Sequence, residues 1–304
     1  MISPTSATTW LTGYIPDLPT PFDHADRVDL QALERLCERQ IGAGASAVVV
    51  CETAGEASTL SIAERDLVIR AAAEIASGRA RIIAGAGSNC TSRAIELTRH
   101  AEAAGADAVL SVVPYYNKPM QNGLYAHFRA IAESTELPII LHDIPARTVR
   151  ELADDTLTRL AVSKHFIGLL DGTGDITRPM RLRSKLPPSF RLISGHDATA
   201  LTYLAERGDA CISMISNVTP DLCQAIFNNL RLGRLQIARY LQKLLVPLEC
   251  CVSTDTPAGV KYALSLLGLM DPGTRLPIVP LDVPAKATLA KAIAEIDDDL
   301  AGAA

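Results

Sequence analysis

Residues 81–112, RIIAGAGSNCTSRAIELTRHAEAAGADAVLSV, contain one complete repeat of the pattern that decides the fold. The stretch begins with a short apolar run, 81–84, and ends with another, 108–112. Between them, apolar residues recur at the spacing of an amphipathic helix, and this segment finishes at Gly105, as helices commonly do. The pattern predicts a strand, a helix and a second strand, the repeating unit of a parallel sheet covered by helices.

Eight apolar runs alternate with segments of helical period along the chain. Several runs are nearly continuous in Val, Ile, Leu and Ala, which suits strands that are buried on both faces of a parallel sheet. Eight such units predict an α/β fold, namely a closed (β/α)₈ TIM barrel. The predicted strands cover residues 14–18, 47–51, 81–84, 108–112, 139–142, 166–170, 191–194 and 210–213.

After the eighth predicted strand the period stays helical to the C-terminus, which predicts an additional C-terminal helical layer. We expect an N-terminal extension over residues 1–12, the barrel over 13–232, and C-terminal helices over 233–304 that pack on the barrel within the same structural unit. The length of 304 residues fits this organisation, because α/β barrels often use about 250 residues or more as one domain.

The composition excludes several classes of protein. Of the residues, 48% are hydrophobic and 21% are charged, which is typical of a globular domain with a large core. The formal net charge of −5 is spread along the chain without a basic stripe, so we expect no nucleic-acid partner. The first residues lack the features of a secretory signal, and no run of about 18 apolar residues occurs, so we expect a cytoplasmic protein without membrane contact.

The sequence indicates neither a disulfide framework nor a bound cofactor. The seven cysteines are an odd number and none are spaced as C-x₂-C, which also disfavours a structural zinc site. Most of them lie within runs of apolar or small residues, so we expect buried thiols. The glycine-rich turn 85–89 lacks the spacing of a dinucleotide-binding fingerprint, and we expect no cofactor.

In a barrel of this kind the chemistry takes place at the C-terminal ends of the strands. After the second strand, the turn CETAGE (51–56) has small residues whose backbone N–H groups can converge on a carboxylate, although tight turns in general use the same residues. After the fourth strand, Tyr115 and Tyr116 are adjacent in a rigid turn, where one hydroxyl can reach a pocket and the other ring can pack at a subunit contact. After the fifth, His142 suits general acid–base catalysis and Arg147 suits a carboxylate clamp.

The sixth and seventh strands end in turns rich in glycine and aspartate. Asp175 and Asp197 precede predicted helices, and we expect both side chains to cap those helices. Asp171 and His196 remain as polar groups that can face the mouth of the barrel.

Several segments resemble those of the dihydrodipicolinate synthase and N-acetylneuraminate lyase family. The likeness covers nearly the whole chain and is closest to the synthase branch, through PTPFD (19–23), PYYNKP (114–119), GLYAHFRAIAE (123–133) and IPART (144–148). The resemblance implies a homotetrameric barrel that acts on pyruvate or related 2-oxo acids. We therefore expect a small-molecule 2-oxo acid or carboxylate ligand and a homo-oligomer, either a dimer or a tetramer.

The resemblance also identifies the position of the family's reactive lysine. That lysine forms a Schiff base with the 2-oxo acid and lies at the end of the sixth strand, in the pattern G-x-K-x-x-x-G. The matching segment here, 168–174, is GLLDGTG, so Leu170 occupies the lysine position. An alkyl side chain cannot form an imine, and we expect no Schiff-base catalysis. Among the seven lysines, only Lys118 lies in a loop at the active end, and a lysine in such a turn usually points to water.

Other positions of the family site divide into changed and retained residues. His142 matches a proton-shuttling tyrosine, and Ala54 matches the second threonine of the carboxylate-binding turn. The resemblance implies that Thr53 and Tyr116 belong to a hydroxyl relay, with Tyr116 supplied by the neighbouring subunit, and that Arg147 binds a second carboxylate. The predicted catalytic residues are His142, Tyr116 and Thr53, and the predicted substrate-binding residues are Thr53, Ala54, Arg147, Asp171, Gly195 and Ile212.

Three hypotheses for the function remain open. In the first, an enzyme binds a 2-oxo acid or another small carboxylate without covalent attachment, and His142 is the general acid or base of a lyase or hydro-lyase. In the second, a divalent ion replaces the imine as electron sink, although its candidate ligands have no fixed spacing; they are His142, His196, Asp171 and Glu52. In the third, a catalytically silent barrel binds a metabolite or assembles with an active paralogue.

Overall fold

The eight apolar runs form eight strands in the computed structural model, which describes residues 8–254 and 257–302. Three predicted strands have the observed bounds, and the other five differ by one or two residues at an end, where assignments commonly vary. The strands are β1 (Gly13–Pro16), β2 (Ala47–Val50), β3 (Arg81–Gly85), β4 (Ala108–Val112), β5 (Ile139–Asp143), β6 (Phe166–Asp171), β7 (Arg191–Ser194) and β8 (Ala210–Ser213).

Parallel pairing leads from β1 through β8, β7, β6, β5, β4 and β3 to β2. The two ends of this series meet just beyond β1. Asp17 forms a parallel bridge with Val49, and the backbone N–H of Leu18 donates to the Val49 carbonyl at 2.9 Å. The predicted α/β fold, a (β/α)₈ TIM barrel, is therefore confirmed.

Helices follow the strands and cover the outside of the barrel. Local signals fix several of their first residues: Asp29 accepts hydrogen bonds from two backbone N–H groups, and Ser61 and Glu64 form a capping box. The helices are α1 (Leu30–Gly42), α2 (Ile62–Ala76), α3 (Thr91–Ala104), α4 (Gln121–Ala132), α5 (Pro145–Thr148), α6 (Asp154–Leu160), α7 (Arg178–Arg183), α8 (Ala200–Ala205) and α9 (Pro220–Arg231).

The predicted C-terminal helical layer consists of α10 (Leu235–Thr254), α11 (Ala258–Leu266) and α12 (Val283–Gly302). Helix α10 packs against α8 and α9 of the barrel and against α11 and α12. Within the described ranges, none of the helices combines the length and the apolar character needed to cross a membrane.

The interior of the barrel is filled with side chains. Successive residues of a strand point to opposite sides, so alternate residues of each strand reach the interior. These interior side chains form one hydrophobic cluster, which also includes the fully buried Leu11 from the segment before β1. Each fully buried aliphatic side chain contributes about 1.5–3 kcal/mol. The cluster consists of Leu11, Ile15, Ala47, Val49, Ile83, Ala108, Leu110, Ile140, Ile167, Leu170, Ile193, Ala210 and Ile212.

A buried ion pair fastens the C-terminal layer to the turn that follows β2. Lys261 of α11 is fully buried, pairs with Glu56, donates to the Gly273 carbonyl at 2.9 Å and lies over the ring of Phe22. Burial lowers the pKa of Lys261 to about 8, against the opposing effect of the Glu56 charge. Because Glu56 ends the turn that begins at Cys51, this contact holds the turn in place.

A buried arginine joins the ends of β5 and β6. The Arg178 guanidinium donates to Asp143 Oδ2 at 2.8 Å and to Asp171 Oδ1 at 3.3 Å. It also donates to the Leu152 carbonyl at 2.6 Å and to Asp154 Oδ1 at 3.3 Å. Asp143 and Asp171 are the last residues of two adjacent strands, so this network fixes the position of both strand ends.

We predict that Arg178→Met lowers the free energy of unfolding by about 3–5 kcal/mol, because buried carboxylates lose their counter-ion. Arg181→Met on the same helix is the matched control. The Arg181 side chain is 41% exposed and pairs with Asp154 and Asp175 at the surface, so its loss is expected to cost about 1 kcal/mol or less. Urea unfolding followed by circular dichroism measures both changes. Equal losses in the two variants would contradict the role assigned to Arg178.

Candidate active site

A cavity of about 250 Å³ lies at the C-terminal ends of the strands, between the mouth of the barrel and α10. Segments that follow β1, β2, β5, β6, β7 and β8 line it, as is usual for sites in this fold. Glu249 and Val252 of α10 complete the wall. Several predicted site residues meet there: Thr53, His142, Arg147, Leu170, Gly195 and Ile212.

His142 and Glu52 form a buried hydrogen-bonded pair in the wall of this cavity. The Nδ1–H of His142 donates to Glu52 Oε1 at 3.1 Å, and the two side chains are 7% and 13% exposed. Glu52 Oε2 accepts from both the backbone N–H and the hydroxyl of Thr53. A carboxylate on Nδ1 fixes the tautomer of the imidazole and leaves Nε2 for another partner. Nε2 has no hydrogen-bond partner within the described part of the chain.

The electrostatics of the pair favour an ionised Glu52. Burial acts to raise the pKa of Glu52, but the charge and hydrogen bond of His142, together with the hydrogen bonds from Thr53, outweigh it and lower the pKa to about 2. Glu52 is therefore an anion at neutral pH, and its hydrogen bond orients the imidazole of His142. The arrangement is that of a carboxylate–histidine pair for proton transfer.

A second carboxyl group, that of Asp17, lies in the same wall beyond β1. Its side chain is buried, its Oδ2 accepts from the Ala54 N–H at 3.0 Å, and its Oδ1 has no hydrogen-bond partner in the described ranges. Burial, followed by the negative charge of Glu52, raises the pKa of Asp17 well above its usual range. The donors of Thr53 and Ala54, predicted to bind a substrate carboxylate, are thus bonded to the chain's own carboxyl groups.

Leu170 gives the cavity an apolar floor next to His142. The two residues are register partners on β6 and β5, and Leu170 packs in the interior cluster of the barrel. Glycine at position 195 makes room for this side chain, because a Cβ there would lie 3.2 Å from Leu170 Cδ1. None of the described lysines lines the cavity, and Lys118 is exposed in the turn after β4.

Arg147 lies at the mouth, where it lines both this cavity and an adjacent one of about 380 Å³. Its guanidinium makes no hydrogen bond or ion pair with another described residue, so it is available to a ligand. Tyr115 lines the adjacent cavity. Tyr116 is 88% exposed and lines neither cavity, so a single chain does not bring it to His142.

Comparison with known proteins agrees with this architecture. The sequence pattern of the dihydrodipicolinate synthetase family matches residues 10–296. This chain belongs to that family. It is therefore a member of a lyase family, and it has the fold of that family's solved structures.

Relatives in the family are similar over almost their whole length. The 4-hydroxy-tetrahydrodipicolinate synthase of Hyphomonas neptunium is 44% identical over 286 residues, which cover 93% of this chain and 97% of the relative. The enzyme of the same name from Gluconobacter oxydans is 42% identical over 273 residues, covering 90% and 92%. The structure of dihydrodipicolinate synthase from Acinetobacter baumannii complexed with pyruvate has a TM-score of 0.91 and 39% identity, covering 94% of this chain and 99% of that one.

Two predicted substrate-binding residues, Ala54 and Asp171, do not line the cavity. Ala54 is fully buried, and its backbone N–H donates to Asp17. Asp171 is buried and faces Arg178, the hydroxyl of Thr173 and the hydroxyl of Tyr203. His196 lines the cavity, as expected for a polar group at the mouth. In the described residues, no group of three or more His, Cys, Asp or Glu side chains is arranged to hold a metal ion.

Neither of the two aspartates expected to cap a helix does so. Asp175 accepts from the backbone N–H of Thr177, the residue before α7. Asp197 instead accepts from the Ser213 hydroxyl and from the backbone N–H groups of Met214 and the next residue. The capping prediction is therefore wrong for both residues, because neither α7 nor α8 has a side-chain cap at its first turn. For Asp197, the loop after β8 supplies the donors instead.

The sequence pattern does not single out two acidic residues of the cavity wall, Asp17 and Glu249. It identifies Glu52 only as a candidate metal ligand and not as the partner of His142. A signal for Asp17 is present, since a carboxyl at the end of a predicted barrel strand lies where chemistry takes place in this fold. Glu249 lies on a helix beyond the barrel, where no such rule applies.

We predict that Glu52→Gln destabilises the fold in a pH-dependent way. The folded pKa of Glu52, about 2, is below the usual 4.5. Ionised Glu52 therefore stabilises the fold at pH values above its usual pKa of 4.5. This stabilisation is lost as the pH falls towards the folded pKa of about 2. The difference in free energy of unfolding between wild type and variant should be largest above about pH 5 and should shrink towards about pH 3.

Urea titrations at a series of pH values measure this difference. Glu133→Gln, which removes an exposed carboxylate at the end of α4, controls for the loss of one negative charge. If the difference in free energy of unfolding between wild type and Glu52→Gln stays constant as the pH is lowered, the lowered pKa of Glu52 is contradicted.

Proposed function

We propose that the protein is a lyase or hydro-lyase that binds a small carboxylate, such as a 2-oxo acid, without forming a Schiff base. The observation that carries the proposal is the Glu52–His142 pair beside Leu170 in the cavity. An alkyl group occupies the position from which the family forms its imine, so the residues of this cavity offer proton transfer in place of covalent attachment.

The roles of the individual residues follow from their positions. Arg147 at the mouth can bind a carboxylate through two parallel hydrogen bonds. His142 Nε2 then takes a proton from the bound molecule, or gives one to it, at an atom next to that carboxylate. Glu52 stabilises the imidazolium that results. The apolar floor at Leu170 and the cover supplied by α10 limit access of water to this step.

We further propose a homo-oligomer in which Tyr116 acts across a subunit contact. Tyr116 projects from the turn after β4, is 88% exposed, and has a positive φ of 69°. Such a backbone conformation is uncommon for a bulky residue and needs support from its surroundings. A second subunit packed on this turn would supply that support and would cover the ring.

A second candidate function is a catalytically silent barrel that binds a metabolite. The observation that favours it is the set of hydrogen bonds made by the turn after β2. There, Glu52 accepts from Thr53 and Asp17 accepts from Ala54, so the donors that would bind a 2-oxo acid are already engaged. A leucine at the position of the family's lysine, together with a turn whose donors are already hydrogen-bonded, is compatible with a protein that binds a metabolite without converting it.

We predict that incubation with pyruvate and borohydride leaves the mass of the intact protein unchanged. Borohydride reduces an imine to a stable secondary amine, and the cavity has no lysine among its described residues to form one. Intact-protein mass spectrometry measures the outcome, with a family member that retains the lysine as positive control. A pyruvate-dependent adduct on this chain would refute the non-covalent mechanism.

We predict that His142→Ala slows proton exchange between bound substrate and solvent by about 10²–10⁴-fold, the usual contribution of a positioned acid–base group. The assay follows deuterium incorporation from D₂O into 2-oxo, 2-hydroxy and 2-amino acids by NMR. His165→Ala, at the opposite end of the barrel just before β6, is the matched control and should keep wild-type rates. Absence of exchange or turnover with every acid of the panel would favour the silent barrel instead.

A further inference from the structure

The wall of the cavity contains four carboxyl groups. Glu52 and Asp17 both lie in its wall, and Glu249 of α10 lines it as well. A fourth carboxyl, that of Asp197, also lines the cavity, but it is engaged by three donors at the end of β8. Arg147 is the single arginine among the lining residues, and it lies at the mouth. Burial raises the pKa values of Asp17, Glu249 and Asp197, so the negative charge of the cavity lies mainly on Glu52. The exposed Arg147 supplies a positive charge, which acts on Asp17 to lower its pKa.

Donors of the turn after β2 are engaged by the chain's own carboxyl groups. The N–H and hydroxyl of Thr53 donate to Glu52, and the N–H of Ala54 donates to Asp17 at 3.0 Å. A substrate carboxylate at this turn would have to displace an internal carboxyl group and would face the charge of Glu52. Like charges at such short range are strongly unfavourable where water is excluded. Arg147 is therefore the group to which a carboxylate would bind.

Asp17 has unused hydrogen-bonding capacity. Its side chain is 3% exposed, and its Oδ1 lacks a hydrogen-bond partner within the described ranges. A buried oxygen without a partner is destabilising. A positively charged donor beside Asp17 would oppose the effect that raises its pKa and would favour the ionised form, in which Oδ1 accepts a hydrogen bond. Glu52 lies close enough for its charge to act on Asp17. It is ionised, and it accepts a hydrogen bond from the imidazole of His142. Both features favour a ligand group that donates hydrogen bonds and is positively charged.

We infer that the cavity is selective for a small amino-carboxylate, with its carboxylate on Arg147 and its ammonium at the end formed by Asp17 and Glu52. The inference rests on the proposed function for the role of Arg147, and it narrows the ligand class. A 2-oxo acid presents only an acceptor oxygen to the two carboxyl groups, whereas an ammonium presents three donors and a positive charge. A volume of about 250 Å³ suits a molecule of this size.

The test compares acids that share a carbon skeleton and differ only at the second carbon. The probes are alanine, lactate and pyruvate; valine and its 2-hydroxy and 2-oxo analogues; and glutamate, 2-hydroxyglutarate and 2-oxoglutarate. Isothermal titration calorimetry gives each Kd with the wild-type protein. The amino acid of at least one series should bind about tenfold or more tightly than its 2-oxo analogue, as expected for a charge-assisted hydrogen bond.

Asp17→Asn separates the role of the carboxyl group from the overall shape of the site. An asparagine can still accept from Ala54, but it cannot ionise, so it cannot present a carboxylate oxygen to an ammonium. We expect the preference for the amino acid to fall about tenfold in this variant, towards the 2-oxo acid. Asp29→Asn is the matched control, because asparagine caps a helix as well as aspartate does and Asp29 does not line the cavity.

The possible outcomes separate this inference from the proposed function. It is overturned if the 2-oxo acid binds as tightly as the amino acid in each series that binds, if no amino acid binds, or if Asp17→Asn leaves the preference unchanged. His142-dependent proton exchange together with a preference for 2-oxo acids would retain the proposed function and remove the inference. Selective binding of amino acids without exchange would retain the inference and remove the proposed function.

Discussion

The hydrogen bond from the Leu18 N–H to the Val49 carbonyl closes the barrel between β1 and β2, and the candidate site depends on that closure. Closure places Asp17, the preceding residue, against the turn after β2, where the Ala54 N–H donates to its carboxyl group. The same turn presents Glu52 to His142 on the far side of the mouth. Groups that are distant along the chain meet because eight parallel strands end at one edge.

The fold could be predicted from the sequence because each element is encoded by its own short segment. The bounds 108–112, 191–194 and 210–213 follow from runs of apolar residues, and Ser61 with Glu64 marks the first turn of α2. The positions of Leu170 and His142 at strand ends follow from the same pattern. Their proximity depends on the register of β5 and β6, which shifts between Ile139 and Ile140 and then pairs His142 with Leu170.

The hydrogen-bond and ion-pair partners of the side chains at the mouth of the barrel could not be predicted from the sequence. Arg178 and Arg181 both belong to a segment rich in arginine, yet Arg178 is fully buried and Arg181 is half exposed. Asp171 bonds to the buried guanidinium of Arg178 rather than to the cavity. Asp17 meets Ala54 across 37 positions, and Glu52 meets His142 across 90. Periodicity within one strand or helix carries no information about contacts over such separations.

The leucine at position 170 also bears on how the site can change in evolution. A lysine there would keep an ammonium within an apolar cluster, at a desolvation cost of several kcal/mol, whereas a buried leucine contributes about 1.5–3 kcal/mol to stability. That gain offsets part of the cost of keeping Asp17 and Glu52 away from water. A Leu170→Lys substitution alone would therefore remove a stabilising side chain while both buried acids stayed in place.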